Sequence, residues 1–484
     1  MKKINEIHEP VHRPIKVVQF GEGNFLRAFA DWMIDILNEK TDFSGNIAVV
    51  KPITFGSLQR FHDQDCLYTV LLRGKQDGKT VNESRVITSI ETAVSCEEEE
   101  KMNTLAKNDS LRFVISNTTE AGIVFKEDDH IDGLPESFPG KLTKFLYTRF
   151  LHFGGDKSKG LVLLPVELIE NNGSELKSCI LKLCDVWKLS DAFKIWVNEC
   201  NVFCNTLVDR IVTGYAKDEA DSISERLGYR DELLDIGEPF ALWVIEGAES
   251  VKDELPFEEA SLPVVFTNSL KPYRERKVRI LNGAHTSGSL IGYLAGLNIV
   301  RDCMEDSYVG TFMRKVILSE IAPLINLPEE DVKAFTSSVL ERFENPFLDH
   351  ALLSISLNSV SKWKTRVLPT FKDYYNKNAK IPMGLTFSFA ALLAFYSSSD
   401  LKEDGLYATR QSGDSYVVHD DLSALKFFAE NCKNSDFVSL AAKNVSFWGE
   451  DLTAYDGFVA SVQKWLTLIQ SDAKAAVRSI SEEI

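Results

Sequence analysis

Short apolar runs alternate with helical stripes through the first half of the chain. Each run has the length of a buried strand, and the strand candidates are residues 16–20, 46–50, 68–72, 111–116 and 161–165. Directly after the first run, residues 24–38 place apolar side chains at helical spacing. Strands that alternate with helices predict a mostly parallel sheet with helices on both faces.

The second half of the chain has a different pattern. Strand signals become scarce, and helical patterns span residues 275–299, 308–323, 328–343, 348–361, 381–398, 421–431 and 454–482. The length of 484 residues exceeds the roughly 250–300 residues that one core supports. Prolines interrupt the chain between about 250 and 275. We therefore predict an α/β domain over residues 1–260 and a mostly α-helical domain over residues 261–484.

The net charge limits the classes of partner that the protein can bind. The net charge of −17 argues against general binding to nucleic acid or to an anionic membrane, because both need a basic surface. No apolar stretch approaches ~18 residues, so we expect no membrane span. The polar N-terminus and eight dispersed cysteines favour a cytoplasmic protein with reduced thiols, and no metal-ligand spacing is present. The oligomeric state stays open between a monomer and a weak homo-oligomer.

A glycine turn connects the first strand to the first helix. Gly21 and Gly23 stand where the backbone of a dinucleotide-binding fold approaches a pyrophosphate, at the N-terminus of a helix. The third glycine of the full motif is replaced by Leu26, and Lys51 stands near the usual acidic position after the second strand. A purely structural strand–helix turn is the alternative.

A second polar segment follows the strand at 111–116. Asn117 and Thr118, followed by Thr119 and Glu120, lie where an open α/β sheet binds its ligand. A turn with a helix cap explains the same residues equally well.

The segment Lys277-Val-Arg-Ile-Leu-Asn282-Gly-Ala-His285 combines three side chains that suit proton transfer. Asn282 and His285 are three residues apart and share a helix face. Lys277 and His285 are separated by about 80° around a helix axis, so the three groups can converge. Oxidation of an alcohol needs a base and a donor to the reacting oxygen. The alternative is a basic helix face with a capping Asn and a core His.

A basic patch surrounds this segment on an otherwise acidic chain. Residues 271–279 contain five basic side chains, among them Lys271 and Arg274, and only one acidic side chain, Glu275. Such a patch suits a small anionic substrate or a pyrophosphate.

Several stretches together resemble the polyol-specific long-chain dehydrogenases, the mannitol dehydrogenase family. They are residues 19–29 around the glycine turn, the K-x4-N-x2-H spacing from Lys277 to His285, Pro165–Ile169, residues 203–214, Lys271–Thr286 and Arg342–Pro346. The resemblance covers nearly the whole chain.

This resemblance implies a Rossmann-type N-terminal domain and a helical C-terminal domain, with catalysis between them and no metal. It implies reversible reduction of D-tagaturonate to D-altronate with NADH, in which Lys277 is the general acid/base. Asn282 and His285 would bind and polarise the reacting oxygen. Gly21, Gly23, Phe25 and Arg27 would line the phosphates of NAD. Asn117 and Thr118, at the end of another strand, are further candidates for contact with the cofactor.

The resemblance also has departures. Many family members carry a D-N pair where this chain has Glu167-Leu168, so an oxyanion-site Asn is missing, and Asn172 is a candidate substitute. Candidates for contact with the sugar acid are Asp209, Lys364 and Arg366, besides Lys271 and Arg274. A structural ion pair with Arg210 explains Asp209 as well, and a solvated helix end explains Lys364 and Arg366.

Two other functions fit the same residues. One is a sister activity, either a fructuronate reductase or a mannitol-type polyol dehydrogenase. The other is a catalytically silent NAD-binding regulatory protein, which the missing Asn at Leu168 would favour and the retained Lys277, Asn282 and His285 would not.

Overall fold

The computed structural model describes residues 1–118, 121–247 and 249–484, which form two compact units. Unit 1 comprises residues 1–73 and 80–270, and unit 2 comprises residues 74–79 and 271–484. No helix among these residues has the length and the apolar character needed to cross a bilayer.

Unit 1 contains twelve strands among its described residues. They are β1 (Ile15–Phe20), β2 (Asn46–Lys51), β3 (Tyr68–Gln76), β4 (Lys79–Ile87), β5 (Ile90–Ser95), β6 (Phe113–Ser116), β7 (Val162–Pro165), β8 (Val202–Phe203), β9 (Asn205–Asp209), β10 (Asp235–Gly237), β11 (Leu242–Glu246) and β12 (Val264–Thr267). Residues 74–79, which comprise the end of β3, the turn and the first residue of β4, belong to unit 2.

The helices of unit 1 begin with an α–π–α run. They are α1 (Asn24–Leu26), a π-helical segment (Arg27–Asp31), α2 (Trp32–Lys40), α3 (Gln59–Asp63), α4 (Glu99–Ala106), α5 (Phe138–His152), α6 (Asn172–Val186), α7 (Asp191–Cys200), α8 (Ala220–Leu227) and α9 (Glu249–Glu254).

The main sheet confirms the predicted α/β class. Within the described residues its six parallel strands have the order β5-β2-β1-β6-β7-β8. This is the doubly wound order of dinucleotide-binding domains, with the order reversing between β1 and β6. Apolar clusters cover both faces of the sheet, which explains why its strands are apolar on both sides rather than alternating.

Unit 2 is mostly helical, as predicted. Its helices are α10 (Lys271–Arg276), α11 (Gly283–Leu294), α12 (Val300–Glu305), α13 (Val309–Lys315), α14 (Glu329–Phe343), α15 (Leu352–Ile355), α16 (Ser359–Lys362), α17 (Leu368–Asn378), α18 (Met383–Phe395), α19 (Leu422–Asn431), α20 (Phe437–Ala442), α21 (Val445–Trp448), α22 (Phe458–Ser471) and α23 (Ala473–Glu483). Three π-helical segments interrupt them, Lys277–Asn282, Val316–Ile321 and Trp363–Val367.

Unit 2 differs from the predicted pattern in several places, including the helices α12, α17, α20 and α21, which were not predicted. An antiparallel sheet of β13 (Asp400–Lys402), β14 (Gly405–Thr409) and β15 (Ser415–Val418) was not predicted. The predicted helix over 348–361 is broken, because Asn358 adopts a left-handed conformation with φ 53°. The pattern over 454–482 divides at Asp472, which caps α23.

The division between the units falls ten residues after the predicted boundary at 260. β12 lies in unit 1 because it pairs in parallel with β11, from Trp243–Val264 to Glu246–Thr267.

Candidate functional site

The two glycines of the turn in unit 1 have different surroundings. Gly21 has φ +126°, and a Cβ atom there would lie 2.8 Å from the Asn117 carbonyl oxygen. Gly23 has φ −70°, is exposed, and a Cβ atom there would meet no atom within 4 Å. Gly21 is therefore required by the fold, whereas Gly23 leaves open space at the start of a helix.

The C-terminal ends of β1 and β6 meet beside this turn. The Asn117 N–H donates to Phe20 O at 3.0 Å, and the Thr118 N–H and Oγ1 both donate to Glu167, at 3.1 and 3.0 Å. Burial raises the pKa of the Glu167 carboxyl, and these hydrogen bonds oppose the rise. The structure thus brings Gly21, Asn117 and Thr118 together, while Thr119 and Glu120 lie outside the described residues.

Arg27 is directed into unit 1. Its side chain is buried and donates to Leu233 O and Asn24 Oδ1, and it lies 3.8 Å from Asp235. Because Asn24 is the first residue of the helix after the turn, the hydrogen bond from Arg27 stabilises the end of the turn. The contact of Arg27 with a phosphate stays a prediction. Phe25 remains partly exposed and stacks on Phe29 at 4.9 Å.

Two predicted substrate residues also have structural positions in unit 1. The Asn172 amide nitrogen donates to Pro165 O and Glu167 O, and its oxygen accepts from Thr206 N–H at 2.8 Å. The Asn172 side chain is only 1% exposed, and these hydrogen bonds use both ends of its amide to join β7 to β9. Asn172 therefore does not replace the missing oxyanion-site Asn. Asp209 is buried on β9, opposite Leu242.

In unit 2, a π-helical turn aligns the Lys277–His285 segment. The Gly283 N–H donates to Val278 O, five residues earlier, so residues five apart occupy one face of this turn. Lys277 and Asn282 are five apart, and Asn282 and His285 are three apart at the entrance to α11. The π turn therefore places all three side chains on one side, a closer alignment than a regular helix would give.

Gly283 is the point where this helix approaches a second π segment. A Cβ atom on Gly283 would lie 3.2 Å from the Arg366 carbonyl oxygen. The glycine permits this close approach and so fixes the distance between the Lys277–His285 segment and Trp363–Val367.

His285 packs between two rings. Its imidazole stacks on Phe343, with centroids 4.4 Å apart, and meets the edge of His350 at 5.3 Å. Burial lowers the pKa of His285 well below its usual value, and the neighbouring positive groups lower it further. His285 is consequently a neutral hydrogen-bonding group at neutral pH.

The groups that lower the pKa of His285 form a cluster, called here the cationic cluster and defined as Arg342, His350, Lys362 and Arg366. Burial and Lys362 lower the pKa of His350 itself, so its imidazole is uncharged at neutral pH and the positive charge comes from the other three groups. Burial lowers the pKa of Arg366, and burial together with Arg366 lowers that of Lys362, against the weaker attraction of Asp420. Within the described part of the chain, neither Lys362 nor Arg366 forms an ion pair. Such a cluster has the chemistry of an anion site.

The sequence identified this cluster only in part. Arg366 was predicted, but Lys364 lies against Gly449, where its Cε is 3.5 Å from the Cβ position, and Lys362 takes its place. Lys362 and Arg366 are four residues apart, a spacing that points to a shared helix face. Lys271 is exposed and Arg274 partly buried on α10, and both remain predictions.

No cluster of three or more His, Cys, Asp or Glu side chains in residues 1–118, 121–247 and 249–484 is arranged to hold a metal ion.

The sequence matches two family descriptions that together cover most of the chain. Residues 15–259 match the mannitol dehydrogenase Rossmann domain, and residues 269–470 match the mannitol dehydrogenase C-terminal domain.

Similar curated proteins carry the name altronate oxidoreductase. One from Bacillus subtilis (strain 168) is 46% identical over 446 residues, which cover 91% of this chain and 89% of that protein. One from Yersinia enterocolitica is 42% identical and covers 97% of both chains.

Two solved structures share the fold at low sequence identity. Mannitol 2-dehydrogenase from Pseudomonas fluorescens, in ternary complex with NAD and D-mannitol, has a TM-score of 0.67 at 19% identity and covers 100% of both chains. A D-sorbitol dehydrogenase in substrate-free form has a TM-score of 0.79 at 20% identity, covering 99% of this chain and 100% of that one.

Proposed function

Because this chain belongs to the mannitol dehydrogenase family, whose members are oxidoreductases acting on CH–OH groups, we propose that it reduces the keto group of D-tagaturonate to give D-altronate, with NADH as the reductant. The names of the relatives at 42–46% identity support a sugar-acid substrate.

The cationic cluster is the observation that carries the sugar-acid assignment. Lys362 and Arg366 lie beside His285 with no paired carboxylate among the described residues, and both have pKa values lowered by burial. A substrate carboxylate would offset the repulsion and accept charge-assisted hydrogen bonds, which a neutral polyol cannot do.

The glycine turn has the features of a pyrophosphate cradle. Gly23 is exposed, has an open Cβ position and precedes the helical run 24–40, whose N-terminal dipole favours an anion. Lys51 donates to Phe55 O and Gly56 O, at 3.1 and 3.4 Å, and is 4% exposed. It is thus engaged within unit 1 rather than available to a 2′-phosphate, which favours NAD over NADP. NADH bound there would supply the hydride.

The proton and the reacting oxygen are handled by the Lys277–His285 segment. Lys277 donates a proton to the developing alkoxide during reduction and removes it during oxidation. Asn282 donates its amide N–H to the same oxygen, and neutral His285 holds that oxygen by a second hydrogen bond. No metal takes part in this proposal.

A panel of substrates tests the assignment directly. NADH oxidation is followed with D-tagaturonate, D-fructuronate and D-fructose, each over a range of concentrations. The proposal expects the highest kcat/KM with D-tagaturonate. Preference for D-fructuronate would make the protein the sister reductase, preference for fructose would refute the carboxylate site, and absence of all turnover with intact NADH binding would indicate the silent regulatory protein.

A further inference from the structure

The turn at residues 74–79 is held by the helix end that carries two neighbours of His285. Phe343, which stacks on His285, ends α14, and Arg342 precedes it. The residues on either side of this pair, Glu341 and Glu344, are the ones that hold the turn.

Glu341 binds the turn through backbone N–H groups. The Asp77 N–H donates to Glu341 Oε2 at 3.1 Å, and the Gly78 N–H donates to Oε1 at 2.7 Å. Asp77 and Gly78 have φ values of 52° and 72°, and this left-handed pair points successive N–H groups at one carboxylate. The contact is therefore bidentate and independent of the side chain at position 77.

Glu344 makes the second attachment. Its carboxylate accepts from Lys75 and from Arg314, the latter at 2.8 Å. Burial raises the pKa of Glu344, but these two cations overcome it and leave the pKa below its usual value. Glu344 is therefore ionised throughout the neutral range.

The placement of these carboxylates is unfavourable for an isolated helix. The C-terminus of a helix carries partial negative charge, which disfavours Glu341 and Glu344 at the end of α14. The N–H groups of the turn and the two cations offset this repulsion. Without them, the last turn of α14 would fray, and Arg342 and Phe343 would lose their fixed positions.

α14 also contacts the segment before Lys277. Phe335 lies under the Arg276 guanidinium, with 4.3 Å between that group and the ring centroid. A shift of α14 would thus change the contacts at both ends of the Lys277–His285 segment, at Arg276 and at His285.

We propose that Glu341 and Glu344 are positioning residues: by holding the Asp77–Gly78 turn, they fix Arg342 and Phe343 beside His285 and so tune substrate binding. This inference rests on the proposed function for its kinetic readout.

The test compares identical substitutions at opposite ends of α14. Glu341→Ala removes the bidentate acceptor, while Glu329→Ala removes an exposed carboxylate that pairs with Lys333 at 2.8 Å in the first turn. We expect Glu341→Ala to raise KM for the sugar acid by about tenfold with kcat and the NADH KM changed by less than about twofold, and Glu329→Ala to leave all three unchanged. Glu341→Gln, which keeps one acceptor oxygen, should be intermediate.

A second readout does not depend on turnover. The imidazole nitrogen signals of His285 in the ¹⁵N NMR spectrum should move in Glu341→Ala and in Glu344→Ala, and stay in place in Glu329→Ala and in Asp77→Asn, which keeps both backbone donors. An unchanged KM and unchanged His285 signals in a folded Glu341→Ala protein would overturn the inference, as would equal effects of Glu329→Ala. If the wild-type protein fails to turn over any sugar acid, the proposed function fails and the NMR comparison alone decides the positioning role.

Discussion

Replacing each glycine of the strand–helix turn by alanine separates a folding role from a cofactor role. At Gly21 an alanine meets two penalties, a φ of +126° and a Cβ 2.8 Å from the Asn117 carbonyl oxygen. Backbone strain of about 1–3 kcal/mol and overpacking of about 1–3 kcal/mol add to roughly 2–6 kcal/mol. For a unit of this size the melting temperature should fall by about 4–24 °C.

At Gly23 the same substitution has a different consequence. The φ of −70° suits alanine, and no atom lies within 4 Å of the new Cβ. The free protein should therefore keep its stability, or gain up to about 1 kcal/mol from a less flexible unfolded chain. The methyl group would occupy the space proposed for the pyrophosphate, so the Kd for NADH should rise by about tenfold or more, equivalent to roughly 1.4 kcal/mol.

Two measurements on both variants decide the matter. Thermal unfolding without NADH should separate Gly21→Ala from the wild-type protein, and fluorescence titration with NADH should separate Gly23→Ala from it. If Gly23→Ala binds NADH with wild-type affinity, the turn is only a structural element. If Gly21→Ala is as stable as the wild-type protein, the fold does not require glycine at position 21.

Two further predictions concern unit 2. Arg366→Leu should raise KM for the sugar acid by roughly 10- to 150-fold, because a charge-assisted hydrogen bond contributes about 1.5–3 kcal/mol. Lys364→Leu should have little effect on KM. Steady-state kinetics checks both variants, and equal effects would argue against the cationic cluster as the carboxylate site. Glu320 is 2% exposed and accepts from the Gly384 N–H at 2.8 Å, and burial raises its pKa to about 7. Because the folded protein keeps a proton that the unfolded chain loses above about pH 4.5, stability should fall by up to about 3 kcal/mol as the pH rises from about 4.5 to 7. Denaturant unfolding should show a smaller fall in Glu320→Gln, and an identical pH dependence would contradict the assignment.

The sequence was informative where local pattern determines structure. Four apolar runs predicted β1, β2, β6 and β7 of the main sheet, because a strand covered on both faces is apolar throughout. The run at 68–72 lies in β3 of a separate sheet, and the edge strands β5 and β8 were not predicted. Gly21 and Gly23 were recognisable from their place between strand and helix. The Asp77-Gly78 pair was a hairpin signal that the hydrophobic pattern alone did not reveal, and it marks the turn held by Glu341.

The sequence was less informative where distant segments meet. Arg342 lies in α14, His350 in the loop before α15 and Lys362 in α16, and only the packing of unit 2 brings them to His285. The π turn at 277–282 changes which residues share a face of the helix. The sequence analysis assumed regular α-helical spacing and so could not predict this change. Asn172 was a plausible substrate contact until its amide proved to be used by backbone groups.

The proposed function depends most on Lys277 as the group that transfers the proton to the reacting oxygen, while the glycine turn of unit 1 holds the pyrophosphate of the cofactor. The most direct measurement is turnover of D-tagaturonate and NADH affinity in Lys277→Ala, with the exposed Lys426→Ala as the matched control. We expect Lys277→Ala to lower kcat by about 10²–10⁴-fold while the Kd for NADH and the melting temperature stay at wild-type values. Near-wild-type turnover in a folded Lys277→Ala protein would contradict it.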